Sequence, residues 1–177
     1  MLDGGAMFGV VPKSIWQKTN PADSNNMVKI AARCLLVENG NQLVLIDTGM
    51  GDKQSEKFFS YYYRWGKDTL ESSLKKHGVH PDDVTDVFLT HLHFDHCGGG
   101  VINSVEGNLK TTFKNAKYWS NKGHWDWATD PNKRESASFL KENINPIIES
   151  GQLNYLEKDK ANYLTKTKLG FDVLFVD

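Results

Sequence analysis

Between Thr90 and Gly99 the sequence reads THLHFDHCGG. Four side chains able to ligate a metal, His91, His93, Asp95 and His96, fall within six positions of a chain that holds only six histidines. Imidazole nitrogen and carboxylate oxygen together suit zinc and also accommodate manganese, iron or cobalt. The two cysteines, Cys34 and Cys97, lie far apart, which argues against an iron–sulfur centre, a thiolate-rich structural zinc site or a disulfide framework. In an extended chain residues 91, 93 and 95 share one face and His96 takes the other. The backbone must therefore turn at the cluster, and Gly98, Gly99 and Gly100 are the residues expected to permit it. Once turned, the segment offers two neighbouring ligand pairs, His91 with His93 and Asp95 with His96.

The flanking elements must seat this cluster. Residues 83–90, DVTDVFLT, read as a short apolar strand running directly into it. Upstream, KIAARCLLVENGNQLVLIDTG carries two β-branched runs around Asn39-Gly40, a hairpin signal, and predicts two antiparallel strands ending at Asp47. Residues 52–65 and 68–78 look helical, with Gly78 and Pro81 closing the second. Beyond the glycines, VEGNLKTTF reads as loop or hairpin, 115–121 as a strand, 131–151 as a helix broken or kinked near Pro146, and QLNYLEK and GFDVLFVD as strands. Strands and helices alternate without repeats or linkers, so the expectation is one α/β layered domain over 1–177.

Composition narrows the partners. Apolar residues make up 39% and charged residues 24%, enough for a folded core. A formal net charge of −1 gives no field that would draw the chain to nucleic acid or an anionic membrane, and no run is long and apolar enough to span one. With two unpaired-looking cysteines and no export signal at the start of the sequence, a reduced, cytoplasmic setting is expected.

The motif His-x-His-x-Asp-His at a strand end, preceded by LIDTG with its Asp47, resembles the metallo-β-lactamase superfamily, whose fold is an αββα sandwich. The N-terminal stretch LDGGAMFGVVPKSIW followed by THLHFDH is similar to the quorum-quenching N-acyl-homoserine lactone lactonase branch. That resemblance implies two divalent ions, zinc foremost, the first held by His91 and His93 and the second by Asp95 and His96. It implies that Asp47 orients a ligand histidine rather than binding metal, and that Phe94, Met7 and Phe8 border the substrate. The implied reaction is the opening of a lactone or ester by a hydroxide shared between the ions, with Asp95 as the proton carrier. No Gly-x-Ser-x-Gly nucleophile elbow is present, and none is needed.

The resemblance also implies further ligands: a histidine from a Gly-His motif after a later strand, a bridging aspartate and a final histidine. After residue 100 the only histidine is His124, in SNKGHWDWATD, which lacks that setting. The chain is therefore expected to be the N-terminal portion of a longer enzyme, inactive alone, with an incomplete sandwich and an uncovered sheet face that favours self-association. Two other readings remain open: a phosphodiesterase or nuclease, suggested by Lys110, Lys114, Lys117 and Lys122 among Trp119, Trp125 and Trp127, and a catalytically incomplete interaction fragment.

Overall fold

The computed structural model describes residues 1–159 and 163–176, and its contacts divide the chain into two compact units. The first unit comprises 1–31 and 54–67. In it β1 (Leu2–Asp3) pairs antiparallel with β2 (Met27–Val28), and two short helices, α1 (Gly4–Phe8) and α2 (Lys13–Trp16), lie between them. Asp3 caps α1 by accepting from the Ala6 amide, and Phe8 stacks on the buried Trp16 at 4.9 Å. The amino terminus donates to the carbonyls of Tyr62 and Tyr63, just after α3 (Glu56–Ser60).

The second unit, 32–53 and 68–177, holds the sheet and the histidine cluster. Its strands are β3 (Leu35–Asn39), β4 (Gln42–Ile46), β5 (Asp86–Phe88), β8 (Lys117–Ser120) and β9 (Leu153–Tyr155), in the spatial order β3-β4-β5-β8-β9. The first pair is antiparallel across the Asn39-Gly40 turn, where Gly40 takes φ 58°, as the hairpin signal demands. The remaining pairs are parallel, so each needs a crossover. The crossovers are supplied by α4 (Leu70–Lys76), by α5 (Phe94–Cys97) with the hairpin β6 (Val101–Asn103) and β7 (Leu109–Thr111), and by α6 (Lys122–Thr129) with α7 (Lys141–Glu149). A two-stranded pair, β10 (Leu164–Thr165) with β11 (Val173–Leu174), follows. The strand expected over 170–177 is thus confined to two residues, and Asp177 lies outside the described residues.

Strand alternation sorts the side chains onto two faces. Leu36, Leu45, Val87, Tyr118 and Leu153 form one row across the sheet and meet Leu74 of α4, Trp125 and Ala128 of α6, and Ile144 and Ile147 of α7 in a single core. Each of the fully buried aliphatic side chains contributes roughly 1.5–3 kcal/mol. The opposite row, Leu35, Ile46, Phe88, Trp119 and Asn154, has Phe171 packed edge-on against Phe88 at 5.9 Å, while Leu35 on the outer strand is 58% exposed. Asp86 is buried on this side and accepts from Trp119 Nε1 and Thr85 Oγ1, both at 2.7 Å. Pro146 sits inside α7 without ending it, so the helix expected over 131–151 is not broken there, and it is confined to Lys141–Glu149. Among the described residues no helix is long and apolar enough to cross a membrane.

Candidate metal centre

The site lies where two loops leave the parallel edges of β4 and β5. After Ile46 the chain turns at Asp47, which takes a left-handed φ of 58°, and continues through Gly49 and Gly51, both at φ near 70°. Aspartate tolerates this region better than most residues do. The second loop begins after Phe88, and it is stitched to the first at several points. The Asp47 amide donates to the Phe88 carbonyl, the Thr48 amide to His96 O at 2.7 Å, and the Gly99 amide to Gly49 O. Thr48 Oγ1 donates to His96 O as well.

The sequence placed the turn at the glycines on an extended strand end, and the structure corrects both points. Regular strand ends at Phe88, and the chain turns earlier, through a helical turn over Phe94–Cys97 whose N-cap is His93. Asp95 and His96 therefore stand on consecutive positions of a helix, not on opposite faces of a strand. The glycines serve close approach instead of unusual torsion. A Cβ on Gly98 would stand 2.1 Å from the Met50 carbonyl oxygen, and one on Gly99 would stand 2.2 Å from that of Thr48.

This framework brings the cluster together. The His91 ring centroid lies 4.7 Å from that of His93 and 3.9 Å from that of His96, and His96 Nε2 is 3.7 Å from Asp95 Oδ2. All four side chains are half-buried, open enough for a ligand to reach. Asp47, only 9% exposed, accepts from the Thr90 amide at 2.9 Å, from Thr90 Oγ1 and from His96 Nδ1 at 2.8 Å. This contact turns the other nitrogen of His96 toward Asp95. Burial, followed by the neighbouring His96 and His93, lowers the His91 pKa to about 4, whereas the hydrogen bond that His96 donates to Asp47 raises that of His96.

Among the described residues, no three His, Cys, Asp or Glu side chains are already arranged around one ion position. The donor set nonetheless fits divalent ions. Two donor atoms at His96 and Asp95 stand 3.7 Å apart, close to the spacing that metal bonds of about 2.0–2.2 Å require. The imidazole of His91 is held neutral, the form that ligates.

Phe94 occupies the first turn of α5, half-buried next to the cluster, whereas Met7 and Phe8 belong to α1 in the first unit. Of two concavities among the described residues, one is lined by Glu157, Lys158, Asp159, Leu164, Thr165 and Lys166 and the other by residues around Met1 and Pro21; neither includes a histidine. The lysine–tryptophan stretch does not form one basic aromatic face. Trp125 is buried, Trp119 bonds Asp86, Lys114 pairs with Asp82 at 2.6 Å, and Lys122 pairs with Asp126. The residue that the sequence left without a role is His124, whose Nε2 accepts from the Leu92 amide at 2.9 Å. A lone histidine ahead of a tryptophan gave no signal, because neither α6 nor its register against the motif was legible.

Residues 30–102 match the model of the metallo-beta-lactamase superfamily. Over 97% of its length the chain superposes on a probable metal-dependent hydrolase from Staphylococcus aureus, with a TM-score of 0.79 and 27% identity, covering 62% of that protein. This chain has the metallo-β-lactamase fold. An N-acyl homoserine lactonase of Bacillus cereus is 29% identical over 103 residues, covering 52% of this chain and 40% of the lactonase. A dizinc quorum-quenching lactonase solved with a homoserine product superposes over 73% of the chain and 44% of its own length, with a TM-score of 0.50 and 27% identity. The chain thus spans about 40% of the B. cereus lactonase that it matches.

Proposed function

We propose that the protein is a metal-dependent hydrolase that opens a lactone or ester, using divalent ions, zinc foremost, held by His91 and His93 and by Asp95 and His96. The observation that carries this reading is the convergence of the three imidazoles and one carboxylate, tethered from below by the buried Asp47. Lactonases among the relatives in sequence and structure support the substrate class. A near-zero net charge accords with a small, weakly charged substrate.

A pair of divalent ions there would supply Lewis acidity and a hydroxide at neutral pH. The chain's own residues do the rest. Burial keeps His91 in the neutral form, and Asp47 fixes which His96 nitrogen faces outward. Asp95, whose side chain is 42% exposed, is assigned the transfer of a proton to the leaving alkoxide. Phe94 supplies an apolar wall beside the cluster. Two ions need more ligands than these four side chains, so hydrolysis is assigned to the whole protein.

The test is to measure metal content and lactone-opening rate for the protein and for His93→Ala. The proposal expects loss of at least one ion equivalent and a fall in turnover of a hundredfold or more. Undiminished turnover in the variant would remove it.

A further inference from the structure

We infer that His124 is a positioning residue for the candidate metal centre, clamping the peptide that joins His91 to His93 by accepting the Leu92 amide proton. This inference rests on the reading of His91 and His93 as ligands. Leu92 is fully buried, and its amide lies beyond the last regular strand residue of β5. A buried amide without a partner is costly, and most are satisfied by other backbone groups. Here a side chain does it: Leu92 N donates to His124 Nε2 at 2.9 Å. The Leu92 carbonyl is likewise satisfied by a side chain, accepting from Cys97 Sγ at 3.3 Å. The segment between the two histidines is therefore fixed by side chains that could have been otherwise, not by the sheet.

His124 is itself held on a rigid path from the sheet. Asn121 directly follows β8 and caps α6 by accepting from the amides of Gly123 and His124, while its Nδ2 donates to Leu156 O. One residue along, Trp125 anchors the helix in the core. Phe139 bridges the two imidazoles, 4.9 Å from His93 and 5.9 Å from His124, and Trp127 closes on both Phe139 and His124 at 5.6 Å. Because Nε2 accepts, the ring proton of His124 belongs on Nδ1. His124 then acts on the ions only through the backbone. It sets the spacing of two donors instead of adding a third.

The experiment compares His124→Leu, which fills the space without an acceptor, with His124→Gln, whose amide oxygen can reach the same point. Two readouts are taken on the protein: hydrogen exchange of the Leu92 amide without metal, and cobalt(II) affinity with the visible spectrum of the bound ion. The expected result is fast Leu92 exchange, a 10- to 100-fold weaker cobalt affinity and a changed spectrum in the leucine variant. In the glutamine variant, protection and affinity should return to within about threefold of the parent. Unchanged Leu92 exchange and cobalt affinity in the leucine variant would overturn the inference, and so would equal damage from both substitutions, which indicates packing alone. Failure of the parent protein to bind cobalt, with Leu92 still protected through His124, would instead refute the metal-centre reading.

Discussion

Replacing Asp47 by alanine removes the acceptor on which both site loops close, and the structure lets the damage be built up in parts. The Thr90 amide loses a hydrogen bond to a carboxylate, at about 1.5 kcal/mol, and the more exposed Thr90 hydroxyl loses about 0.5 kcal/mol. The His96 side chain is 36% exposed, so solvent screening holds its contact with Asp47 to about 1 kcal/mol. Alanine at φ 58° adds about 1 kcal/mol of backbone cost that aspartate bears more easily. The total is about 4 kcal/mol, a large fraction of the ~5–15 kcal/mol by which domains are stable. Urea unfolding followed by circular dichroism should place the midpoint about 2 M lower, for a slope of roughly 2 kcal/mol/M. Asp47→Asn keeps the left-handed turn and one acceptor, and should lose only about 1–2 kcal/mol. Asp47→Gly relieves the backbone term and should recover about 1 kcal/mol relative to alanine. An alanine variant within about 0.5 kcal/mol of the parent would show that Asp47 does not hold the two loops, as would an asparagine variant no better than alanine.

Other consequences are open to simpler measurements. Gly98→Ala drives a methyl group to 2.1 Å from the Met50 carbonyl, and the two loops must part; a loss of about 3 kcal/mol by thermal or chemical unfolding is expected, where an ordinary surface Gly→Ala change would be neutral or stabilising. In the metal-free protein, the raised His96 pKa gives stability that is full below its unfolded value of 6.5 and is lost as pH rises through the folded one. The lowered His91 pKa acts in the other direction, its stability being present above 6.5 and lost as pH falls toward about 4. The histidine contribution to stability therefore peaks near pH 6.5, and Asp47→Asn should flatten the alkaline side of that peak in unfolding midpoints taken across pH.

Much of the scaffold was legible because it rests on local patterns. The Asn39-Gly40 turn fixed the β3–β4 hairpin, and apolar runs marked β5 and β8. Leu70 and Leu74 at helical spacing marked α4. The motif announced a metal-seeking cluster by residue type alone. What sequence could not give was the shape of the turn, because that depends on the approach of a second loop. Gly98 and Gly99 look like hinges in isolation, but they are small because Met50 and Thr48 press against them. His124 was invisible for the same reason, since its partner lies 32 positions away and is a backbone amide that no residue pattern advertises. Pro146 misled in the opposite sense: within α7 it is buried on the face packed into the core, and burial of that face outweighs the missing amide hydrogen bond.

In the proposed centre His91, His93, Asp95 and His96 converge on divalent ions. Anomalous scattering at the zinc edge, recorded from crystals of the protein grown with zinc, tests it most directly. Anomalous peaks are expected about 2.0–2.2 Å from nitrogen atoms of His91 and His93 and from Asp95 Oδ2 and His96 Nε2. A map with zinc bound elsewhere, and nothing between these four side chains, would contradict it.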